Sequence, residues 1–136
     1  MNHIKRKLLL IFSMICMLFV AGFDKTAESE ITFTIYSMTM AMNKKDSQGY
    51  IQTLSDFFIK ENYGDEKYIT EKINEFGQVI EIDFQIKEIK SYTAVVQYKL
   101  LHINANREKS TFYGEMILIK TKDGWKIHFV EEKMIS

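Results

Sequence analysis

VIEIDFQIK, residues 79–87, alternates without a break: Ile80, Ile82, Phe84 and Ile86 are interleaved with Glu81, Asp83, Gln85 and Lys87. Successive side chains of an extended chain project to opposite faces, so this run is a strand with one buried and one wetted side. Ile89 falls out of that phase and marks a bulge or the strand's end. Turn residues follow at Lys90-Ser91, Asn104-Ala105-Asn106-Arg107 and Lys122-Asp123-Gly124, and they separate three more strand-like runs over 93–104, 111–121 and 125 to about 132. Connections this short join antiparallel neighbours, so the carboxy-terminal half reads as a four-stranded meander.

Upstream of residue 79 the period is helical. Between Glu28 and Met42 the residues Ile31, Ile35, Met38 and Met42 recur at spacings of four, three and four, with Phe33, Tyr36 and Met40 widening the apolar stripe. Asn43-Lys44-Lys45-Asp46 breaks the pattern, and Asp46 is placed to cap a second helix whose inward face is Tyr50, Leu54, Phe57 and Phe58. After Glu61-Asn62-Tyr63-Gly64, Asp65 caps a third helix carrying Ile69, Ile73 and Phe76, and Gly77 stands where a left-handed cap is wanted. Three amphipathic helices followed by a meander give an α+β layout, with a curved four-stranded antiparallel sheet laying its apolar face over the helices.

The first 22 residues are of another kind. Lys5-Arg6-Lys7 precedes an uncharged run from Leu8 to Val20, and the small pair Ala21-Gly22 follows. At about 1.5 Å per helical residue the run falls short of the roughly 20 residues that span a bilayer core, which fits a cleaved signal peptide over residues 1–22 better than an anchor. Retention as a short anchor remains the second reading, and membrane contact is then expected only through residues 4–23. Either way the domain covers residues 23–136 and is expected outside the cytoplasm, secreted or held at the cell envelope. The single cysteine, Cys16, lies in the leader after Ile15, where a lipoprotein-processing enzyme would require a small residue. A mature chain therefore has no thiol, which excludes cysteine catalysis and cysteine-ligated zinc.

Charge narrows the partners. The chain carries 18 basic and 18 acidic residues, and its longest basic runs are Lys5-Arg6-Lys7 and Lys44-Lys45, so the sequence offers no long basic run for phosphates and nucleic acid is not an expected partner. Glycine-rich phosphate loops, a Gly-x-Ser-x-Gly turn and a His-Glu-x-x-His helix are all missing.

The succession of a helix, the NKKD turn, YIQTLSDFF, DEKYITEKINEF and long hairpinned strands ending in DGWKIHFVEE resembles the nuclear transport factor two-like, cystatin-like superfamily. The resemblance covers about Ile31 to Glu132 and resembles in particular the small exported bacterial members, with their acidic residue (Asp46), aromatic and Leu (Tyr50, Leu54) and Gly-Trp-Lys-Ile strand start. It implies a cone-like domain with a concave sheet whose mouth holds a small molecule or a partner's segment. It also implies that relatives associate through the sheet, so a homodimer is an expectation here. The fold hosts enzymes, binding pockets and assembly domains alike, so the resemblance alone does not assign a reaction.

Enzymatic members place Asp, His or Tyr groups inside the cone, and each such residue has a plainer explanation here. His102 and His128 are the imidazoles of the mature chain, in strands read as close in the sheet. His128 shares its phase with Lys126 while Trp125, Ile127 and Phe129 take the other, which points His128 to water. His102 sits at the rim or on a mixed face, and a third partner for metal or proton work is absent. Asp46 is an acid candidate by analogy, but its place before Ser47-Gln48-Gly49 is that of a cap. Glu81, Asp83 and Glu115 lie on polar strand faces, with Lys99 and Lys120 available to balance them. Tyr50, Tyr98 and Trp125 are the residues expected to line a pocket, with Trp125 also plugging one end of the helix layer. The leading reading is an exported, non-enzymatic binding domain for a protein segment or small apolar ligand, with no cofactor and no metal. The alternatives are an isomerase or dehydratase using His102 or Asp46, and a component of an envelope assembly such as a secretion or conjugation apparatus.

Overall fold

The computed structural model describes residues 25–135. The leader at 1–22 and its cleavage site lie outside the described residues. Helix α1 covers residues 25–44, followed by α2 (Ser47–Gln52), α3 (Asp56–Asn62) and α4 (Glu66–Glu75). Strands β1 (Gln78–Ile89), β2 (Thr93–Ile103), β3 (Lys109–Thr121) and β4 (Gly124–Met134) form one antiparallel sheet in the order β1-β2-β3-β4. This is the α+β arrangement expected from the sequence, with the helices on the concave side. Val96, Leu100, Met116, Leu118 and Ile127 of the sheet share a buried core with Ile31, Ile35, Ile69 and Ile73 of the helices. Among the described residues no helix is long and apolar enough to cross a membrane.

Local chemistry explains most boundaries. Asp46 Oδ1 accepts the Gly49 N–H at 3.0 Å, and Asp65 Oδ1 accepts the Tyr68 N–H at 2.9 Å, so both aspartates cap as read. Gly77 has φ +89°, and a Cβ there would come within 2.2 Å of the Ile103 carbonyl oxygen, so conformation and space both demand glycine. The side chain of Asn43 at the end of α1 accepts the Val79 N–H at 2.7 Å and donates to the Val79 carbonyl at 3.0 Å. One amide thereby ties the first helix to the start of the sheet.

Three expectations need correction. The second helical segment is two helices, not one. At Leu54 the chain forms a parallel bridge to Ile127, with Ser55 N–H on the Ile127 carbonyl at 2.9 Å and Ile127 N–H on the Thr53 carbonyl at 2.8 Å. Ser55 then caps α3 through its Oγ, which accepts the Phe58 N–H at 3.0 Å. Phe57, expected inside, is exposed and stacks on His128 with centroids 4.7 Å apart. On α1, Phe33, Tyr36 and Met40 are exposed and do not widen the buried stripe. Thr34, Thr39 and Ala41 occupy the buried places instead, because the Thr34 hydroxyl reaches the Trp125 carbonyl at 3.0 Å and the Thr39 hydroxyl reaches Tyr36 O at 3.0 Å.

The third correction concerns strand phase. A bulge between Val79 and Glu81 turns Ile80 outward, leaving it 50% exposed, while Val79 is buried and Ile82, Phe84 and Ile86 are half-buried. A second bulge between Ile86 and Glu88 brings Ile89 back against the core, as its phase suggested. In β4, Ile117 pairs with Phe129 and Leu118 with Ile127, so His128 is the extra residue of a third bulge. Phe129, expected on the inner face with Trp125 and Ile127, consequently lies outside, and Val130 and Glu132 take the inner phase.

The bulge at Ile80 separates two substitutions that sequence alone would rank together. Ile80→Thr should change stability by less than about 0.5 kcal/mol. Ile127→Ala should cost about 2–5 kcal/mol. Urea unfolding midpoints of the two variants check both, and a large loss for Ile80→Thr would contradict the bulge.

Candidate functional site

The bulge at His128 sets up the inner face near the open end of the sheet. Tyr98 pairs with Gly114 and Gly114 with Glu132, so three consecutive strands contribute one row. The Tyr98 side chain leans across the glycine and its hydroxyl donates to Glu132 Oε2 in a short hydrogen bond. A Cβ on Gly114 would lie 2.7 Å from the Tyr98 hydroxyl, 2.7 Å from the Glu131 carbonyl oxygen and 2.8 Å from Glu132 Cβ. Only glycine leaves that path open.

The helix layer supplies the opposing wall. Tyr50 of α2 and Tyr63 at the end of α3 join hydroxyls at 2.8 Å, with their rings edge to face at 6.2 Å. Burial pushes the Tyr98 phenol far above its usual range, and the hydrogen bond and charge of Glu132 add to the push. Burial likewise raises Tyr50, followed in effect by Tyr63, Glu132 and Tyr98. For Tyr63 burial is again the main cause; the Glu132 charge adds to it and the hydrogen bond from Tyr50 works the other way. All three phenols therefore stay neutral near pH 7 and act as hydrogen-bonding groups. Beside them opens a cleft of about 350 Å³ walled by Met42, Tyr50, Tyr63, Ile69, Ile73 and Phe76, with Lys72 and Glu75 also lining it. The Lys72 ammonium lies 5.0 Å above the Tyr68 ring and pairs with Glu75 at 3.6 Å.

The residues singled out from sequence fall in different places. Tyr50 and Tyr98 meet at this end of the concave face. Trp125 does not join them: it is buried at the start of β4 and lines a separate groove against α1. Asp46 contributes to the wall of that groove, with one carboxylate oxygen engaged in its cap. His102 is half-buried and its Nε2 donates to the Phe76 carbonyl in a short contact, with the ring against Phe76 at 4.4 Å and Phe112 at 6.2 Å. This hydrogen bond occupies the carbonyl at the end of α4. His128 Nδ1 lies 3.0 Å from Ser55 Oγ, so it binds the α3 cap. The two imidazoles are not brought together: His102 pairs with Ser110, whereas His128 sits beside Ile117, seven residues and about 24 Å along β3. Glu81, Asp83 and Glu115 are exposed, and Asp83 faces Lys99 in register. Among the described residues no group of three His, Cys, Asp or Glu side chains gathers as a metal site.

Glu132 and Tyr63 were not legible as site residues, because one was hidden by the bulge and the other by its turn position. Gly114 was the available signal. A glycine inside an alternating strand, two residues before the inward Met116, marks a close approach.

No protein-family model matches the sequence, and no curated protein does. Solved structures do match. A candidate Ca/calmodulin-dependent kinase II association domain from Exiguobacterium sibiricum superposes with a TM-score of 0.62 at 14% identity, over 80% of this chain and 93% of that one. A candidate dehydratase of the NTF2-like family from Streptomyces avermitilis gives 0.57 at 11% identity, over 82% and 97%. A candidate scytalone dehydratase from Novosphingobium aromaticivorans gives 0.57 at 13%, over 83% and 87%. The chain has the nuclear transport factor two-like fold.

Raised phenol pKa values mean that the folded state holds these protons more tightly than the unfolded chain. Their stabilising contribution is complete below the unfolded tyrosine value of about 10 and is lost as pH rises above it. Stability should therefore be insensitive to these groups up to about pH 10 and fall beyond it, and Tyr50, Tyr63 and Tyr98 should ionise only as the domain unfolds. Ultraviolet phenolate absorbance followed together with circular dichroism between pH 9 and 13 checks this. Three late-titrating tyrosines that ionise while the fold persists would contradict it.

Proposed function

We propose that the domain is an exported, non-enzymatic binding module that holds a small apolar ligand in the cleft beside Tyr50 and Tyr63. The observation that carries this reading is the pairing of the cleft's own polar groups, Tyr50 with Tyr63 and Lys72 with Glu75, and of the Phe76 carbonyl with His102. What faces a ligand is then a mainly apolar wall with a tyrosine hydroxyl edge and one Lys72–Glu75 ion pair, the composition of a binding pocket. A cleft of about 350 Å³ admits a small molecule rather than a folded segment.

A second reading is favoured by one contact. Glu132 and Tyr98 are ionisable groups facing each other on the concave face, and in an isomerase or dehydratase the carboxylate would take a proton while a phenol steadied the developing oxyanion. Two of the similar structures carry dehydratase descriptions, which lends that reading support by analogy only. Ligand-observed NMR with a panel of small apolar and aromatic compounds separates the two. Binding should saturate, weaken at least tenfold in Met42→Trp, which fills the cleft from α1, and stay within threefold in Glu132→Gln. A compound chemically converted by the parent and left intact by Glu132→Gln would replace the binding reading with the enzymatic one.

Export and self-association belong to the same proposal. The leader would direct the chain out of the cytoplasm. Val95, Ile117 and Phe129 form an in-register row on the outer sheet face, with Phe129 47% exposed, which suits pairing with a second copy. Light scattering and intact mass on protein recovered from the cell envelope or medium should give a dimer of chains beginning at Phe23. A strict monomer at high concentration removes the dimer, and a cytoplasmic chain beginning at Met1 removes export.

A further inference from the structure

The cleft beside Tyr50 is not the largest concavity. A groove of about 820 Å³ runs between α1 and the β3–β4 hairpin, with the start of α2 closing one side. Its α1 wall extends from Ser29 to Lys44, which at 1.5 Å per residue is about 22 Å. Phe33 and Met40 stand on that wall, 73% and 55% exposed, one above the other at a seven-residue spacing. Trp125, 3% exposed, lies at the groove. Its carbonyl is taken by the Thr34 hydroxyl, but its buried indole N–H finds no acceptor among the described residues. A buried donor left unpaired is a standing cost to the fold.

The charges around the groove are unbalanced in a useful way. Lys44, Lys120, Lys122 and Lys126 face it, against Glu30, Asp46 and Asp123. Asp46 is already engaged in its cap, and among the described residues the ion pairs are Lys72 with Glu75 and Lys90 with Glu88, so none of the four lysines has a carboxylate partner. Lys126 reaches the Gln52 carbonyl, which leaves Lys44, Lys120 and Lys122 as unengaged ammonium groups. Beyond the leader the chain holds 15 basic and 18 acidic residues, so a groove with four lysines against three carboxylates runs against the domain's net charge.

We propose that this groove is a second binding site, and that it takes an acidic, apolar-striped peptide segment of a partner protein. Exposed Phe33 and Met40 supply the apolar contact, the lysines supply charge complementarity, and the length suits a helix of about 14 residues. A compact small molecule would leave most of the wall uncovered. A flat bilayer would not reach Trp125, which is buried.

Trp125 is the only tryptophan in the chain, so its fluorescence reports on this groove directly. The probe is a 14-residue helix-forming peptide of Glu and Leu, titrated into the full chain in a neutral detergent, with a Lys-for-Glu version as control. The acidic peptide should give a saturable change in Trp125 emission and the basic one none. The exposed triple variant Lys44→Glu/Lys120→Glu/Lys122→Glu should bind at least tenfold more weakly, and Tyr63→Phe, in the other cleft, should bind as the parent does. Should the triple variant fold poorly, the parent's affinity still has to fall steeply as potassium chloride is raised. No saturable change, an equal response to the basic peptide, unaltered affinity after charge reversal, salt-independent binding, or a response confined to added phosphatidylglycerol micelles would each overturn the proposal.

Discussion

Ile127 has both of its backbone hydrogen-bonding groups engaged by the helix layer, the N–H on Thr53 and the carbonyl on Ser55. An α-helix cannot run through residues whose N–H and C=O groups are committed to a strand, so this stitch splits what the apolar spacing would make one helix into α2 and α3. The same stitch adjoins the bulge at His128, after which the inward residues of β4 are Val130 and Glu132. The position of Glu132 beside Tyr98 thus depends on two hydrogen bonds five residues upstream. Ser55 reinforces the arrangement by capping α3 with the same hydroxyl that contacts His128.

The interior end of the sheet is polar without carrying a buried ion pair. Phenols, a carboxylate at the edge and an imidazole on a carbonyl satisfy one another, which avoids the desolvation cost of isolated buried charge. Networks of this sort are strong only when every member is paired, and Gly114 is what permits the pairing across three strands. The geometry at the Tyr50 cleft is therefore held by the fold's own hydrogen bonds. At the other end, the groove beside Trp125 shows the opposite condition, with an indole N–H that finds no acceptor and lysines that find no carboxylate partner among the described residues.

Sequence carried the architecture because its signals were local. Alternation from Ile82 to Ile86, the caps at Asp46 and Asp65 and the left-handed Gly77 each depend on a few neighbouring residues, and each stands where it was read. The failures share one physical origin. Bulges at Ile80 and His128 carry no glycine or other local mark and arise from the partner strand, so the phase of Phe129 and Glu132 was inverted in the reading. The break at Leu54 likewise lacks Gly or Pro and is imposed from β4. Phe33, Tyr36 and Met40 look like core by hydropathy, whereas Thr34 and Thr39 are buried because each finds a carbonyl for its hydroxyl. Of the candidate site, Tyr50 and Tyr98 were visible, while Tyr63 and Glu132 depended on tertiary placement.

Every strand of the sheet lies beside its neighbour in the chain, joined by a tight reversal. Tyr98, Gly114 and Glu132 are consequently gathered by two successive hairpins and need no crossover or distant encounter. Low separation along the chain between contacting residues shortens the search that folding requires, because little loop-closure entropy is lost before contacts form. That row involves no residue of α1. The Asn43–Val79 pair instead joins segments 36 residues apart, so the contact that walls in the concave face is the one whose loop closure loses most entropy.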